Sequence, residues 1–163
     1  MSGPADDRDA PGGPARVSPV AEGDLADLLP LMRAYCDFYA TAPSDEALLA
    51  LARSAIADPE LEGVQLIARS PGGEALGFAS LFWSWDTTEA ARVAIMNDLF
   101  VAAPARGMGV GRSLIAACAR VARERGAVRV DWQTGPDNAR AQTLYDGIGA
   151  TREPWLSYTL PAA

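Results

Sequence analysis

One apolar stretch, Val93–Val101 (VAIMNDLFV), constrains the fold of this chain more than any other feature. Apart from Asn97 and Asp98 it is apolar throughout, which is typical of a central strand covered on both faces. A glycine-rich segment, Ala102–Gly111, follows at once and leads into a strongly periodic helix, Arg112–Arg125. A buried strand that turns through glycines into a helix predicts a sheet with helices packed on it.

The rest of the chain predicts further strands and helices around this unit, in the order β-α-α-β-β-β-α-β-α-β. The expected strands are Arg16–Val20, Val64–Arg69, Ala75–Trp85, Val128–Gln133 and Thr151–Leu160. The expected helices run from an N-cap in Glu22–Asp24 to about Tyr39, then over Ala47–Ala57 and Asn138–Ile148. We therefore expect an α/β fold with a mixed, largely antiparallel central sheet flanked by helices.

The two ends of the chain differ in composition, and this predicts the domain organisation. Residues 1–15 are rich in Gly, Pro and Asp, so we expect a disordered leader. Residues 16–163 show no repeat and no second linker, and 49% of the whole chain is hydrophobic, which is ample for one core. We therefore expect a single domain over 16–163.

The composition also excludes several kinds of chemistry. The chain has no histidine, and its 14 basic residues are all arginine. This excludes a Ser-His-Asp or Cys-His nucleophile, a His-ligated metal site, a Schiff-base lysine and a phosphate-binding Walker lysine. The net charge of −7 argues against nucleic-acid binding and favours a cationic or amine partner.

The cysteines and the apolar stretches predict where the protein works. Cys36 and Cys118 are isolated thiols, which favours a reduced, cytoplasmic setting. No apolar stretch reaches the roughly 18 residues that a membrane span needs. The N-terminus has no signal-peptide pattern. We therefore expect a cytoplasmic protein without a membrane or metal partner.

The segment Arg106–Ser113 is the strongest candidate binding site. Glycines before a helix let the backbone approach a ligand, and the N–H groups of the first helical turn attract an anion such as a pyrophosphate. The glycines alone fit an ordinary turn equally well. A Walker loop lacks its lysine, and a Rossmann loop would need a glycine where Leu114 stands, and should follow the first strand of its unit. An acyl-CoA loop is the third design.

Two blocks of sequence resemble a known family. Asp98–Val101, Pro104 and Arg106-x-x-Gly109-x-Gly111 resemble the R/Q-x-x-G-x-G/A signature of the GCN5-related N-acetyltransferases, or GNAT family. A second block is also similar to the family: Asp131–Thr134, Asn138, Ala139–Gln142, Leu144-Tyr145 and Gly149-Ala150. With Tyr35–Tyr39 (YCDFY), these blocks most resemble small acetyltransferases that act on histone tails, polyamines and free amino acids.

The resemblance implies a GNAT-type sheet, acetyl-CoA as co-substrate, and transfer of acetyl to a primary amine of a small molecule or peptide through a tetrahedral intermediate. A bulge near Leu99 or Phe100 would free a backbone N–H for the oxyanion. Tyr145 matches the family's general acid. The implied CoA-binding residues are Leu99, Phe100, Val101, Arg106, Gly107, Met108, Gly109, Val110, Gly111, Arg112, Ser113, Asn138, Ala141 and Tyr145. Asn138 is equally suited to cap its helix.

The proton acceptor for the amine is the open question of the sequence. Many relatives have a glutamate at the position of Asn97, and an amide cannot act as a base. Asp98 is its neighbour, but regular strand alternation would put its side chain on the opposite face. Alternatives are deprotonation by bulk water or a carboxylate acting through water, for which the candidates are Asp131, Asp86 and Glu89.

Further side chains are candidates for the amine site, and other functions stay open. Trp83 and Trp85 share a strand face and could join Trp132 or Tyr39 as an apolar or cation-binding wall, although a core or a dimer interface suits the tryptophans better. Asp131 is a further candidate substrate residue. A homodimer is common among relatives. A non-catalytic acyl-CoA sensor is the alternative function, since Asn97 replaces the glutamate. A metabolite-binding module without CoA is a third.

Overall fold

The computed structural model describes residues 15–162, so the leader predicted for residues 1–15 lies outside the described residues except for Ala15. Five strands form one sheet in the order β1-β2-β3-β4-β5. The first four strands pair antiparallel, and β5 is parallel to β4. The strands are β1 Arg16–Pro19, β2 Val64–Arg69, β3 Ala75–Asp86, β4 Ala91–Val101 and β5 Val130–Asp131. The predicted α/β class with a largely antiparallel sheet is confirmed.

Within residues 15–162, four α-helices accompany the sheet: α1 Leu25–Phe38, α2 Asp45–Ala57, α3 Val110–Glu124 and α4 Ala139–Gly147. Ser44 caps α2, because its side chain accepts the N–H of Ala47 at 3.2 Å. The apolar stripe of α3 is buried, as its periodicity predicts. α3 begins two residues before the predicted start because Gly109, with φ +81°, adopts the left-handed conformation that starts the helix.

The chain divides into two compact units, Met1–Gln133 and Thr134–Ala163. The first unit contains the sheet and α1–α3, and its core includes the fully buried side chains Leu28, Ile67 and Phe78. The second unit contains α4 and the C-terminal segment. The expectation of a single domain over 16–163 stays a prediction.

β4 contains a bulge that the rest of the site depends on. Met96 pairs with Leu81 and Asp98 pairs with Ser80, so Asn97 is an extra residue opposite no partner of its own. A bulge resets the alternation of side chains along the strand. Asp98 therefore shares a face of the sheet with Phe100, the face that packs on α1.

The last predicted strand, Thr151–Leu160, is not formed. Residues 151–162 have neither helix nor strand, and side chains such as Trp155 and Leu160 are 80% and 91% exposed. A strand needs a neighbour for its N–H and C=O groups, and this segment has none among the described residues. Alternating apolar residues predict a strand face but do not supply the partner strand.

Candidate active site

The candidate site begins where β4 and β5 part. The two strands pair only at Ala94–Val130 and Ile95–Asp131, and β5 ends there while β4 continues to Val101. Within residues 15–162, the remainder of β4 therefore has no strand neighbour on this side. Such an edge presents N–H and C=O groups to which an extended ligand can hydrogen bond.

The glycine-rich loop continues directly from this edge. Gly107 and Gly109 have φ of +84° and +81°, a conformation that favours glycine. No side chain caps α3, so the N–H groups of its first turn rely on partners outside the helix. The loop is exposed at residues 106–109. The positive end of the helix dipole is added to these donors, so the residues fit a pyrophosphate.

Arg106 fastens the loop to the end of β4. Its Nε donates to the carbonyl of Val101 at 3.0 Å, and its guanidinium lies 5.9 Å from the ring centroid of Phe100. Strand edge, loop and helix start thus form one continuous surface. The structure brings the predicted CoA-binding residues together over 99–101 and 106–113.

Several polar side chains surround the bulge on the side of the sheet that packs on α1. Tyr35, Tyr39, Asn97 and Asp98 are called the Tyr35–Asp98 group below. The Tyr35 hydroxyl donates to the carbonyl of Asn97 at 3.5 Å, and the amide Nδ2 of Asn97 donates to Asp98 Oδ1 at 3.2 Å. Asp98 is half-buried and Asn97 is exposed. The Tyr39 ring lies edge-on to Tyr35 with centroids 5.0 Å apart and is 55% exposed. A carboxylate beside two tyrosine rings can receive a cationic amine.

Tyr35 packs against the aromatic side chains of the core. Its ring makes edge contacts with Phe78 and Phe100, at centroid distances of 5.8 and 6.2 Å. Burial, and then the charge of Asp98, raise the pKa of the Tyr35 hydroxyl far above its usual range. Tyr35 therefore stays protonated and acts as a hydrogen-bond donor. The sequence reasoning missed Tyr35, although its i, i+4 spacing from Tyr39 puts both tyrosines on one helix face.

Two expectations about β4 are corrected. The bulge expected near Leu99 or Phe100 lies at Asn97. Asp98 was expected on the face opposite Asn97 because of regular alternation. The bulge removes that alternation, and the two side chains are hydrogen bonded to each other.

The predicted site residues of the second unit lie on α4. Asn138 is the N-cap, and its Oδ1 accepts the N–H of Ala141 at 3.3 Å. Tyr145 lies in the last turns of the helix and is half-buried. The capping interpretation of Asn138 is thus correct, and one side chain oxygen retains capacity for a second hydrogen bond.

The tryptophans lie at the other end of the β3–β4 hairpin. Trp83 Nε1 donates to the carbonyl of Pro59 at 2.9 Å, and Arg92 lies over the Trp83 ring at 5.1 Å. Trp85 is 73% exposed. It is five residues from Ser80, the partner of Asp98, which is about 16 Å along a strand. Both tryptophans therefore lie towards the turn of the β3–β4 hairpin, away from the Tyr35–Asp98 group. A wall formed by them with Trp132 or Tyr39 stays a prediction.

The other carboxylates that are candidates for the base all form ion pairs with Arg129. Its guanidinium contacts Asp86 at 2.5 Å, Glu89 at 2.7 Å and Asp131 at 2.9 Å. Hydrogen bonds from Thr88, and then the Arg129 guanidinium, hold the pKa of the Asp86 carboxyl far below its usual range. All three carboxylates are ion-paired with Arg129, whereas Asp98 lies at the bulge itself, beside Asn97.

Two searches of residues 15–162 bear on other kinds of site. No group of three or more Cys, Asp or Glu side chains there is arranged to hold a metal ion. None of the helices in that range is long and apolar enough to cross a membrane.

Comparison with known proteins identifies the family. The profile of the acetyltransferase (GNAT) family matches residues 28–150. The chain is 33% identical over 126 residues to YhfO of Bacillus subtilis, described as an uncharacterised N-acetyltransferase, covering 77% of this chain and 83% of that one. It is 43% identical over 79 residues to the D-amino-acid N-acetyltransferase HPA3 of Saccharomyces cerevisiae, 47% of each chain.

The solved structures agree with this assignment. The crystal structure of a probable acetyltransferase matches with a TM-score of 0.79 at 31% identity, covering 91% of this chain and 98% of that one. The chain therefore belongs to the GNAT family and is an acetyl-CoA-dependent acetyltransferase.

Proposed function

We propose that this enzyme transfers acetyl from acetyl-CoA to the primary amine of a small cationic or zwitterionic molecule, of which a free amino acid is the leading candidate and a peptide amine the second. The observation that carries the proposal is the bulge at Asn97. It joins the open edge of β4, on which a thioester can lie, to the Tyr35–Asp98 group, which can receive an ammonium. The D-amino-acid activity in the name of HPA3 supports the choice of acceptor.

In this proposal the backbone holds the co-substrate. Leu99–Val101 offer the strand edge that β5 does not cover to the pantetheine amides, and the first turn of α3 receives the pyrophosphate. Arg106 keeps the two segments in register through its bond to the carbonyl of Val101. From resemblance, Asn138 and Ala141 of α4 contribute further CoA contacts.

The bulge also offers a candidate N–H donor that would stabilise the tetrahedral oxyanion. When the thioester carbonyl becomes a tetrahedral oxyanion, it needs a preorganised N–H donor. A bulge leaves an N–H out of the ladder with β3. The backbone at Asn97–Leu99 is our candidate for that donor.

Asp98 and Tyr145 move the protons. Asp98 accepts a proton from the incoming ammonium, so that the neutral amine attacks the carbonyl carbon and the C–N bond forms. The oxyanion then re-forms the carbonyl as the C–S bond breaks, and Tyr145 donates its proton to the departing thiolate. The nitrogen loses its second proton to solvent, which also returns a proton to Tyr145. The ordinary pKa of a tyrosine, about 10, is close enough to that of a thiol, about 8.5, for this transfer. Asn97, which cannot act as a base, positions Asp98 through its amide.

Location and assembly are also proposals. A cytoplasmic protein fits the two free cysteines, Cys36 and Cys118. A homodimer is supported by Trp85, whose large apolar ring is exposed. Light scattering at micromolar protein concentration measures the mass directly.

Release of free thiol from acetyl-CoA over a panel of amines tests the function. We expect free amino acids to be turned over faster than the corresponding acids without an amino group, which cannot accept acetyl on nitrogen. Acetyl-CoA alone should raise the melting temperature, since it binds the folded state. A raised melting temperature without thiol release for any amine would favour the non-catalytic sensor instead.

A further inference from the structure

A groove of about 580 Å³ lies in the first unit, between α1 and the segment that follows β4. On one side it is lined by Leu31, Ala34 and Phe38, whose spacing puts them on one face of α1. On the other side it is lined by Phe100 and Ala102. The groove therefore lies on the face of the sheet that packs on α1, whereas the proposed path of CoA follows the edge of β4.

The groove borders the Tyr35–Asp98 group. The Phe100 ring, which lines the groove, lies edge-on to Tyr35 with centroids 6.2 Å apart. The Phe38 ring lies edge-on to Tyr39 at 5.1 Å, and Tyr39 in turn lies edge-on to Tyr35 at 5.0 Å. Phe100 is two residues from Asp98 on one face of β4, which is about 7 Å along a strand. An amino acid whose amine meets Asp98 can therefore extend its side chain towards the groove.

The chemistry of the lining favours an apolar occupant. Most of the lining residues are apolar, and they include three alanines, a proline and two phenylalanines. The charged residues of the lining are Asp37, which is exposed, and Arg106, which already donates to the carbonyl of Val101 at 3.0 Å. A charged side chain would lose hydration in such a groove and find few partners, whereas an apolar side chain has no such cost.

Phe38 gives this groove an apolar surface that a ligand can cover. Its ring is 63% exposed at the last residue of α1. Removal of apolar surface from water is favourable, and the gain grows with the area covered. A leucine or phenylalanine side chain would cover much more of the lining than the hydrogen atom of glycine. The volume of the groove is also within the range of about 300–1,000 Å³ that is usual for small-molecule sites.

We propose that this groove receives the side chain of the acceptor and makes the enzyme select amino acids with a large apolar side chain, such as leucine and phenylalanine, over glycine. Ala34 leaves the room for that side chain, and Phe38 packs against it. The proposal rests on the proposed function for the position of the amine, which meets Asp98, and adds the class of side chain that the acceptor carries.

Calorimetric titration of the full chain in the presence of CoA tests the proposal. CoA carries no acetyl group, so phenylalanine and glycine can bind without being consumed. We expect phenylalanine to bind at least about tenfold more tightly than glycine. Equal affinities, or no binding of phenylalanine at millimolar concentration, overturn the proposal.

Release of thiol from acetyl-CoA, measured with the same two amino acids, separates this proposal from the proposed function. If no amine releases thiol but phenylalanine still binds more tightly than glycine, acetyl transfer is refuted and the selectivity of the groove is supported. If both amino acids are acetylated with equal kcat/KM, acetyl transfer is supported and the groove does not select the acceptor.

Ala34→Gln places a polar amide in the groove. Ala34 is exposed and glutamine is a good helix former, so the fold should be retained. The preference for phenylalanine over glycine should fall about tenfold, and acetyl-CoA affinity should not change. Ala26→Gln is the control, since Ala26 is an exposed alanine of the same helix that does not line the groove. A loss of acetyl-CoA affinity in Ala34→Gln with the preference retained would show that the groove holds part of the coenzyme instead.

Phe38→Ala is the second variant, and it removes the exposed ring without filling the groove. It should weaken phenylalanine about tenfold and leave the affinity for glycine unchanged, as measured by the same titration. An unchanged preference in both variants would place the side chain of the acceptor elsewhere and refute the proposal.

Discussion

The two ends of the β3–β4 hairpin differ in how far their polar groups are paired within the protein. At one end, Trp83, Arg92 and Arg129 bind neighbouring carbonyls and carboxylates. At the other end, the strand bulges at Asn97, loses its neighbour after Ile95 and runs into an uncapped helix. Polar groups paired within the protein stabilise it, whereas groups left without a partner are available to a ligand. We therefore assign function to the open end and stability to the closed end.

The largest effect is expected from Gly109→Val at the open end. Valine is strongly disfavoured at a φ of +81°, so the start of α3 and its N–H donors should be displaced. Acetyl-CoA binding should be abolished, as measured by calorimetry. No neighbouring atom lies within 4 Å of a Cβ at Gly109, so the effect would come from backbone conformation and not from a clash inside the protein.

Gly73→Val is the matched control. Gly73 lies in the β2–β3 turn with φ +90° and also has open space around a Cβ. Gly73→Val should lower the free energy of unfolding by a similar amount without weakening the binding of acetyl-CoA. If Gly109→Val retains its affinity, the loop is not the CoA-binding element.

Asp98→Asn should have the next largest effect. It removes the proposed base and keeps the size of the side chain, so turnover should fall by roughly 10³-fold, within the range of general acid–base catalysis. The KM for acetyl-CoA should change little. The control is Asp27→Asn, since Asp27 pairs with Arg69 on the surface. Normal turnover in Asp98→Asn would indicate that bulk water removes the proton.

Tyr145→Phe should lower turnover by roughly 10²-fold, because the thiolate then leaves without a proton donor. Acetyl-CoA affinity should stay close to that of the wild type, since only the hydroxyl is lost. Steady-state kinetics and calorimetry on the same preparation separate the two quantities. Equal turnover would remove Tyr145 as the acid.

The smallest effect on catalysis is expected from Arg129→Gln at the closed end. Turnover should be unchanged, and the melting temperature at neutral pH should fall because three carboxylates lose their common partner. The pKa of Asp86 is lowered in the folded state, so its contribution to stability is present above the usual pKa of about 3.9 and is lost as the pH falls below it. The wild type and the variant should therefore converge in acid. A constant difference down to pH 2 would show that Asp86 is not involved.

The sequence predicts the regular parts of this fold well. Val64–Arg69 is a strand over the predicted residues, because its pattern is local. α2 ends at Ala57 as predicted and begins at Asp45, two residues before the predicted start, because Ser44 caps it. The glycine-rich segment before α3 is predicted from its position between a strand and a helix, and its interpretation as an acyl-CoA loop comes from the resemblance to the GNAT family. The termination of β5 after two residues and the absence of a strand over 151–160 depend on pairing partners, which periodicity does not encode.

The candidate site was only partly accessible to sequence reasoning. The bulge at Asn97 is one extra residue in an otherwise regular apolar strand, and no residue type marks it. A sequence interpretation that assumes a regular strand assigns the Asp98 side chain to the wrong face of the sheet. It also gives Tyr35 no polar partner that would suggest a role. The aromatic residues Trp83 and Trp85 were equally prominent in the sequence, but their contacts put them at the closed end.

Amide hydrogen exchange with and without acetyl-CoA compares the two ends in one experiment. The account predicts slower exchange at Leu99–Val101 and Gly107–Ser113 when acetyl-CoA is present, because ligand bonds then protect those amides. It predicts no change at Trp83–Arg92. Protection confined to the closed end, or none at the open end at saturating acetyl-CoA, would contradict the assignment of function to the bulged end of β4.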